Sequence, residues 1–99
     1  MVTKNEAKQF LGDVAPEKCF WTCDGRVFKN IEEFANGLQA MSDDTFRYHA
    51  NNDKNDFGTW VNEVLGDSKL GNELLSSKTR DSAARKAMAR VDALKKKAA

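Results

Sequence analysis

Between two short apolar runs, Cys19-Phe20-Trp21-Thr22 and Val27-Phe28-Lys29, the chain carries Cys23-Asp24-Gly25-Arg26, and this segment constrains the fold more than any other. Asp-Gly tolerates the two positive φ angles of a type I′ turn, so the segment predicts a β-hairpin. With Asp24 and Gly25 as the two turn residues, Trp21 opposes Phe28 and Thr22 opposes Val27. Trp21 and Phe28 then share one face, expected to be the buried one. A lone hairpin is marginal in water, so helices must cover that face.

The rest of the chain supplies them. Thr3-Lys4-Asn5-Glu6 fits a capping box ahead of a short helix with Ala7, Phe10, Leu11 and Val14 at helical spacing, stopped by Gly12 and Pro16. Asn30 caps a helix whose first turn is acidic and whose stripe is Ile31, Phe34, Ala35, Leu38 and Met41; Gly37 weakens it by about 1 kcal/mol relative to Ala. Ser42-Asp43-Asp44-Thr45 restarts a short helix with Phe46, His49 and Ala50 inward. After the polar loop 51–55, Asn55 or Asp56 caps a helix carrying Phe57, Trp60, Val61, Val64 and Leu65, ended by Gly66. Asp67 caps another with Leu70, Leu74 and Leu75 inward. Beyond the linker 76–79, Ala83, Ala84, Ala87, Met88, Val91 and Leu94 line one face of an Ala-rich helix. The reading is an α+β fold: a mainly helical single domain over residues 1–99, with one hairpin in its N-terminal half packed on a helix bundle. Trp21 and Phe28 are expected under the 31–41 and 57–65 helices.

Apolar residues are 40% and charged residues 31% of the 99, a globular balance for one modest core. The longest apolar stretches are two or three residues, against about 20 for a membrane span. The start, Met1 to Glu6, has no apolar leader and no small-residue cleavage site, so a cytoplasmic protein is expected. Cys19 and Cys23 are the only cysteines. Four positions apart on a strand they stand about 13 Å from each other, beyond the reach of a disulfide, so reduced thiols are expected.

Charge is uneven. Residues 1–78 hold nine Lys and Arg against thirteen Asp and Glu; residues 79–99 hold seven against two. Arg85, Lys86, Arg90 and Lys95 to Lys97 could therefore neutralise phosphates, which makes nucleic acid a candidate partner through the C-terminal helix. Cations also complement the negative end of a helix dipole, and the outer face of such a helix must be polar in any case. The small-residue stripe from Ala83 to Leu94 would equally permit close packing, either of a second copy or onto the domain's own core.

The lone His49, in Phe46-Arg47-Tyr48-His49, is a candidate general base, with Cys19 or Cys23 as a conceivable partner. No activated-nucleophile signature surrounds either thiol, and a hydrogen-bonded structural histidine is the expected role. Cys19, Cys23 and His49 supply only three zinc ligands where structural sites use four, so buried core cysteines and no metal are expected. Asp53 to Gly58 has the outline of a calcium loop but places Phe57 and Val64 where ligands are required. No cofactor motif is present. Trp21, Phe28, Phe34, Phe46, Phe57 and Trp60 are expected to close the core, and Tyr48, beside Arg47 and His49, is the aromatic expected at a contact surface.

Taken as a group, Phe46-Arg47-Tyr48-His49, Asn55-Asp56-Phe57, Trp60-Val61, Val64 and Gly66-Asp67 together with the preceding hairpin resemble the DUF5752 family, a small archaeal and bacterial domain of unknown function. The resemblance covers about residues 18–75 and implies a fold rather than a reaction. Cys19 and Cys23 lie outside the shared pattern. Arg47, His49, Asn55 and Asp56 match it, which implies a polar network fixing the short helix against the next. With no nucleophile and base pair, no phosphate loop and no complete ligand set, the expected function is a non-catalytic protein-interaction or regulatory module. Arg47, Tyr48 and His49 are its candidate contacts, and Arg85, Lys86 and Arg90 those of the nucleic-acid alternative. An enzyme centred on His49 is the remaining class.

Overall fold

The computed structural model describes residues 2–99; Met1, part of the N-terminal stretch read above, lies outside them. Six helices and a two-stranded antiparallel hairpin follow in the order α1 (Lys4–Leu11), a 3-10 turn (Pro16–Lys18), β1 (Phe20–Trp21), β2 (Val27–Phe28), α2 (Ile31–Ala40), α3 (Asp43–His49), α4 (Asp56–Trp60), α5 (Ser68–Leu75) and α6 (Arg80–Ala98). This is the mainly helical α+β architecture that the sequence pattern predicts. The radius of gyration, 12.5 Å, matches the roughly 13 Å of one packed body of this length.

Each helix begins where a side chain can take up an orphan backbone amide. Thr3 and Glu6 form the complete capping box of α1. Asn30 caps α2, Ser42 caps α3, Asn55 caps α4, Asp67 caps α5 and Thr79 caps α6. Three departures from the expected stripes have local causes. Beyond Trp60 the backbone widens into a π turn over Val61–Leu65, ended by Gly66 at φ +78. The wider turn rotates Val64 and Leu65 off the inward stripe, and both are only partly buried. Leu75, expected inward, is half exposed, because Leu70 and Leu74 fill the interior and Leu75 lies over Gly58.

The hairpin differs most. Phe20 pairs with Phe28 and Trp21 with Val27, one residue out of the expected register. The cause is the loop: Thr22 N–H donates to Arg26 O and Gly25 N–H to Thr22 O, enclosing three residues, Cys23, Asp24 and Gly25. Only Gly25 takes a positive φ, +92, so this is a type I turn closed by a glycine bulge rather than a type I′ turn. Since strand side chains alternate, the one-residue shift turns Trp21 outward and Phe20 inward. Trp21 is 67% exposed, and Phe20 takes its place in the core.

Phe20 stacks on Phe57 at 5.1 Å between centroids, Phe46 stacks on Phe57 at 5.5 Å, and Phe34 meets Trp60 at 5.6 Å. Trp60 donates its indole N–H to Lys18 O at 2.8 Å, tying the approach to the hairpin onto α4. On the opposite side, α6 packs against α2 and α1, with α5 alongside. Ala83, Ala84, Ala87, Val91 and Leu94 are all buried there. The small-residue stripe is consumed within the chain, which removes it as a surface for self-association.

Candidate functional site

His49 ends α3 at the point where the hairpin loop, α3 and α4 meet. It is 5% exposed, and both ring nitrogens are engaged. The backbone N–H of Cys23 donates to Nε2 at 3.0 Å. An amide can only donate, so Nε2 carries no proton and the ring's proton sits on Nδ1, where it bonds Asp56 Oδ2 at 3.0 Å. Lys54 Nζ donates to the same oxygen at 3.0 Å and stands 5.0 Å from the centre of the Tyr48 ring, a cation–π distance. Burial pushes the Asp56 carboxyl up, but the hydrogen bonds from His49 and Lys54 outweigh it and hold the group below its ordinary range. The reciprocal bond to Asp56 raises Lys54.

The network implied by the family resemblance is therefore realised in part. His49 and Asp56 are joined, whereas Asn55 serves α4 and α5: it accepts from Gly58 N–H and donates to Leu74 O. Arg47 points to solvent and pairs with Asp44 on its own helix. Neither cysteine is a core residue, contrary to the sequence expectation. Cys23 is exposed, because the bulged loop carries it to the hairpin tip, and Cys19 is half-buried with its thiol toward Ala15 O. It is the Cys23 backbone, not its sulfur, that reaches His49. Among the described residues no group of three or more His, Cys, Asp and Glu side chains is arranged to hold a metal ion.

Two exposed aromatic side chains stand close to this centre. Tyr48 is 59% exposed, its ring edge-on to His49 at 4.9 Å. Trp21 and its cross-strand neighbour Val27 are exposed on the outer surface of the hairpin. A shallow cleft of about 330 Å³ runs between Trp21 and α4, with His49, Asp56, Thr59 and Glu63 along it. Sequence reasoning placed Tyr48 at the surface and His49 inside, but missed Trp21.

The basic tail is arranged differently from a free cationic face. Arg90 is folded inward as a two-pronged partner of Asp67, at 2.7 and 2.9 Å. Asp67 is 1% exposed. Lys86 bonds Ser77 Oγ at 3.0 Å, and Lys95 pairs with Glu32. Arg80 bonds Asp43, Asp81 and the carbonyls of Leu38 and Gln39 at the end of α2. Arg85 lies exposed at a surface groove with Gln39 and Arg80. The spacing held the signal for Arg90, which stands seven residues after Ala83 and four before Leu94, on the inward stripe. No helix is long and apolar enough to cross a membrane among the described residues.

No family model matches the chain, and neither the curated proteins nor the solved structures give a match.

Proposed function

We propose that the chain is a non-catalytic protein-interaction or regulatory module of the cytoplasm, with its contact face centred on Trp21 and Tyr48. The observation that carries this reading is the pair of large aromatics held in solvent beside a rigid hydrogen-bonded centre. Trp and Tyr dominate binding energy at protein interfaces, and here neither is needed for the core. The DUF5752 resemblance, which spans the same hairpin and helices, implies a fold and brings no reaction with it.

The competing classes have less to stand on. With Nε2 bound to Cys23 N–H and Nδ1 to Asp56, neither nitrogen of His49 is free to take a substrate proton, which argues against an enzyme built on it. Arg80, Lys86, Arg90 and Lys95 are already bonded within the chain, which weakens phosphate binding by the tail.

The test is site-specific photo-crosslinking in cells of the native host. A photoreactive residue in place of Trp21 or Tyr48 is expected to trap a discrete protein adduct that survives nuclease treatment, while one in place of Asp92 on α6 traps none. Adducts of equal yield at all three positions, or adducts lost to nuclease, would overturn the reading.

A further inference from the structure

We propose that the cleft between Trp21 and α4 receives an arginine side chain from a basic segment of a partner protein. The inference rests on the interaction reading above and names the chemistry its partner must present.

The walls of the cleft are complementary to a planar cation. On one side stands the Trp21 indole, exposed over most of its surface. Along the other run Asp56, Thr59 and Glu63, spaced at three and four residues. Both intramolecular donors to Asp56, His49 Nδ1 and Lys54 Nζ, bond the same oxygen, Oδ2. Among the described residues Oδ1 receives no donor, and Glu63, an exposed residue, has no ion pair and no donor to its carboxylate. The carboxyl of Asp56 is held ionised by its two donors. The cleft thus brings together two carboxylates that each keep an oxygen free of intramolecular donors, Asp56 and Glu63, and an exposed indole.

An ammonium would satisfy either carboxylate as a point charge. A guanidinium does more: it is flat, stacks on an indole and presents its donors as a fork that matches a carboxylate. Lys54 already balances Asp56 through Oδ2 and is held toward the Tyr48 ring, so the charge left for the guanidinium to neutralise is that of Glu63, while the Oδ1 of Asp56 remains an acceptor. An anionic or purely apolar segment would leave Glu63 desolvated without a partner and the Oδ1 of Asp56 unmatched. Arginine is therefore the side chain that fits.

The inference is tested on the full isotope-labelled chain by NMR titration with three acetylated peptides, alternating Gly with Arg, Lys or Glu. The Arg peptide is expected to shift the Trp21 indole resonance saturably with a Kd of about 1 mM or tighter, at least about threefold below the Lys peptide, and the Glu peptide to leave it unmoved. Followed at the Thr59 backbone amide, Arg binding should weaken about threefold or more in both Trp21→Ala and Glu63→Gln, two solvent-facing positions, while the remaining spectrum stays native. Asp92→Asn should not change it. No saturable shift, equal binding of the Glu peptide, or full affinity in Glu63→Gln would overturn the inference. If the peptide fails while cross-links persist at Trp21 and Tyr48, only the arginine is lost; if the cross-links also vanish, the interaction face falls with it.

Discussion

Replacing Arg90 by Met keeps much of the side chain's volume and deletes its charge, leaving Asp67 without its partner. Asp67 is 1% exposed, the Arg90 side chain 10%, and the pair is joined by two hydrogen bonds of 2.7 and 2.9 Å. Removing one member of a buried pair costs about 3–5 kcal/mol, because the survivor stays out of water uncompensated. Against a total stability of about 5–15 kcal/mol for such a domain, that is a large share, and the Tm should fall by at least about 12 °C.

The remedy is as diagnostic as the damage. Asp67 also accepts from Leu70 N–H at 3.3 Å as the cap of α5, and Asn caps as well as Asp. Asp67→Asn in the Arg90→Met background therefore removes the stranded charge while keeping the cap, and the double variant should be more stable than Arg90→Met alone by about 2 kcal/mol. Urea denaturation followed by far-UV circular dichroism measures all four corners of this cycle, with an unchanged slope marking a true change in stability. A loss below about 1 kcal/mol in Arg90→Met, or costs that simply add, would refute the argument that the tail helix is fastened by a buried charge pair.

Three further outcomes follow from the packing. Gly37→Ala should destabilise the chain by about 1–3 kcal/mol despite the better helix former, since the new Cβ would sit 2.1 Å from Phe28 Cζ; trimming Phe28 to Leu should recover part of it in the same urea assay. Phe20→Ala should cost about 3–5 kcal/mol and Trp21→Ser less than about 0.5, the reverse of what the two-residue turn predicts, read as the difference in midpoint between the two variants. Asp56 has its folded pKa below the ordinary 3.8, so its contribution is present above that value and is lost as the pH falls through the depressed one; the stability curves of wild type and Asp56→Asn should be separated at neutral pH and draw together only as the pH falls below 3.8.

The elements were legible where the signal is local. Thr3, Asn30, Ser42 and Asp67 each sit before an apolar stripe, and a cap acts on amides two or three residues away, so sequence alone exposes it; the choice between Asn55 and Asp56 falls on Asn55, and Thr79, read as linker, is a cap the sequence reading passed over. Register was not local in that sense. Asp-Gly serves a two-residue loop with both residues at positive φ and also a three-residue loop with Gly alone there, and the choice is settled by whether Phe20 or Trp21 fits against Phe57 and Trp60. Gly37 shows the same limit: read as a weak point in α2, it is the position that admits the Phe28 ring against the helix. Of the candidate site, His49 was placed by helical spacing and Tyr48 by its polar neighbours, whereas the partners of His49 lie in other elements, 26 residues before it and seven after.

The same misplaced register explains why the exposed face exists at all. The core takes one large aromatic from β1, and the bulged loop assigns that place to Phe20, whose ring meets Phe28, His49, Phe57 and Trp60. Trp21 is then free to face water without weakening the interior, while the Cys23 bond to His49 and the Trp60 bond to Lys18 hold the hairpin against α3 and α4 from its two ends. A backbone held in this way loses little further freedom when a partner covers the indole it carries, which lowers the ordering cost of binding at this position. On the proposed interaction reading, recognition at Trp21 would depend on the hydrogen bond from the Cys23 amide to a buried imidazole: His49→Phe should keep Phe20 buried yet lower the cross-linking yield at Trp21 by loosening the loop that follows it, and an unchanged yield would refute this dependence.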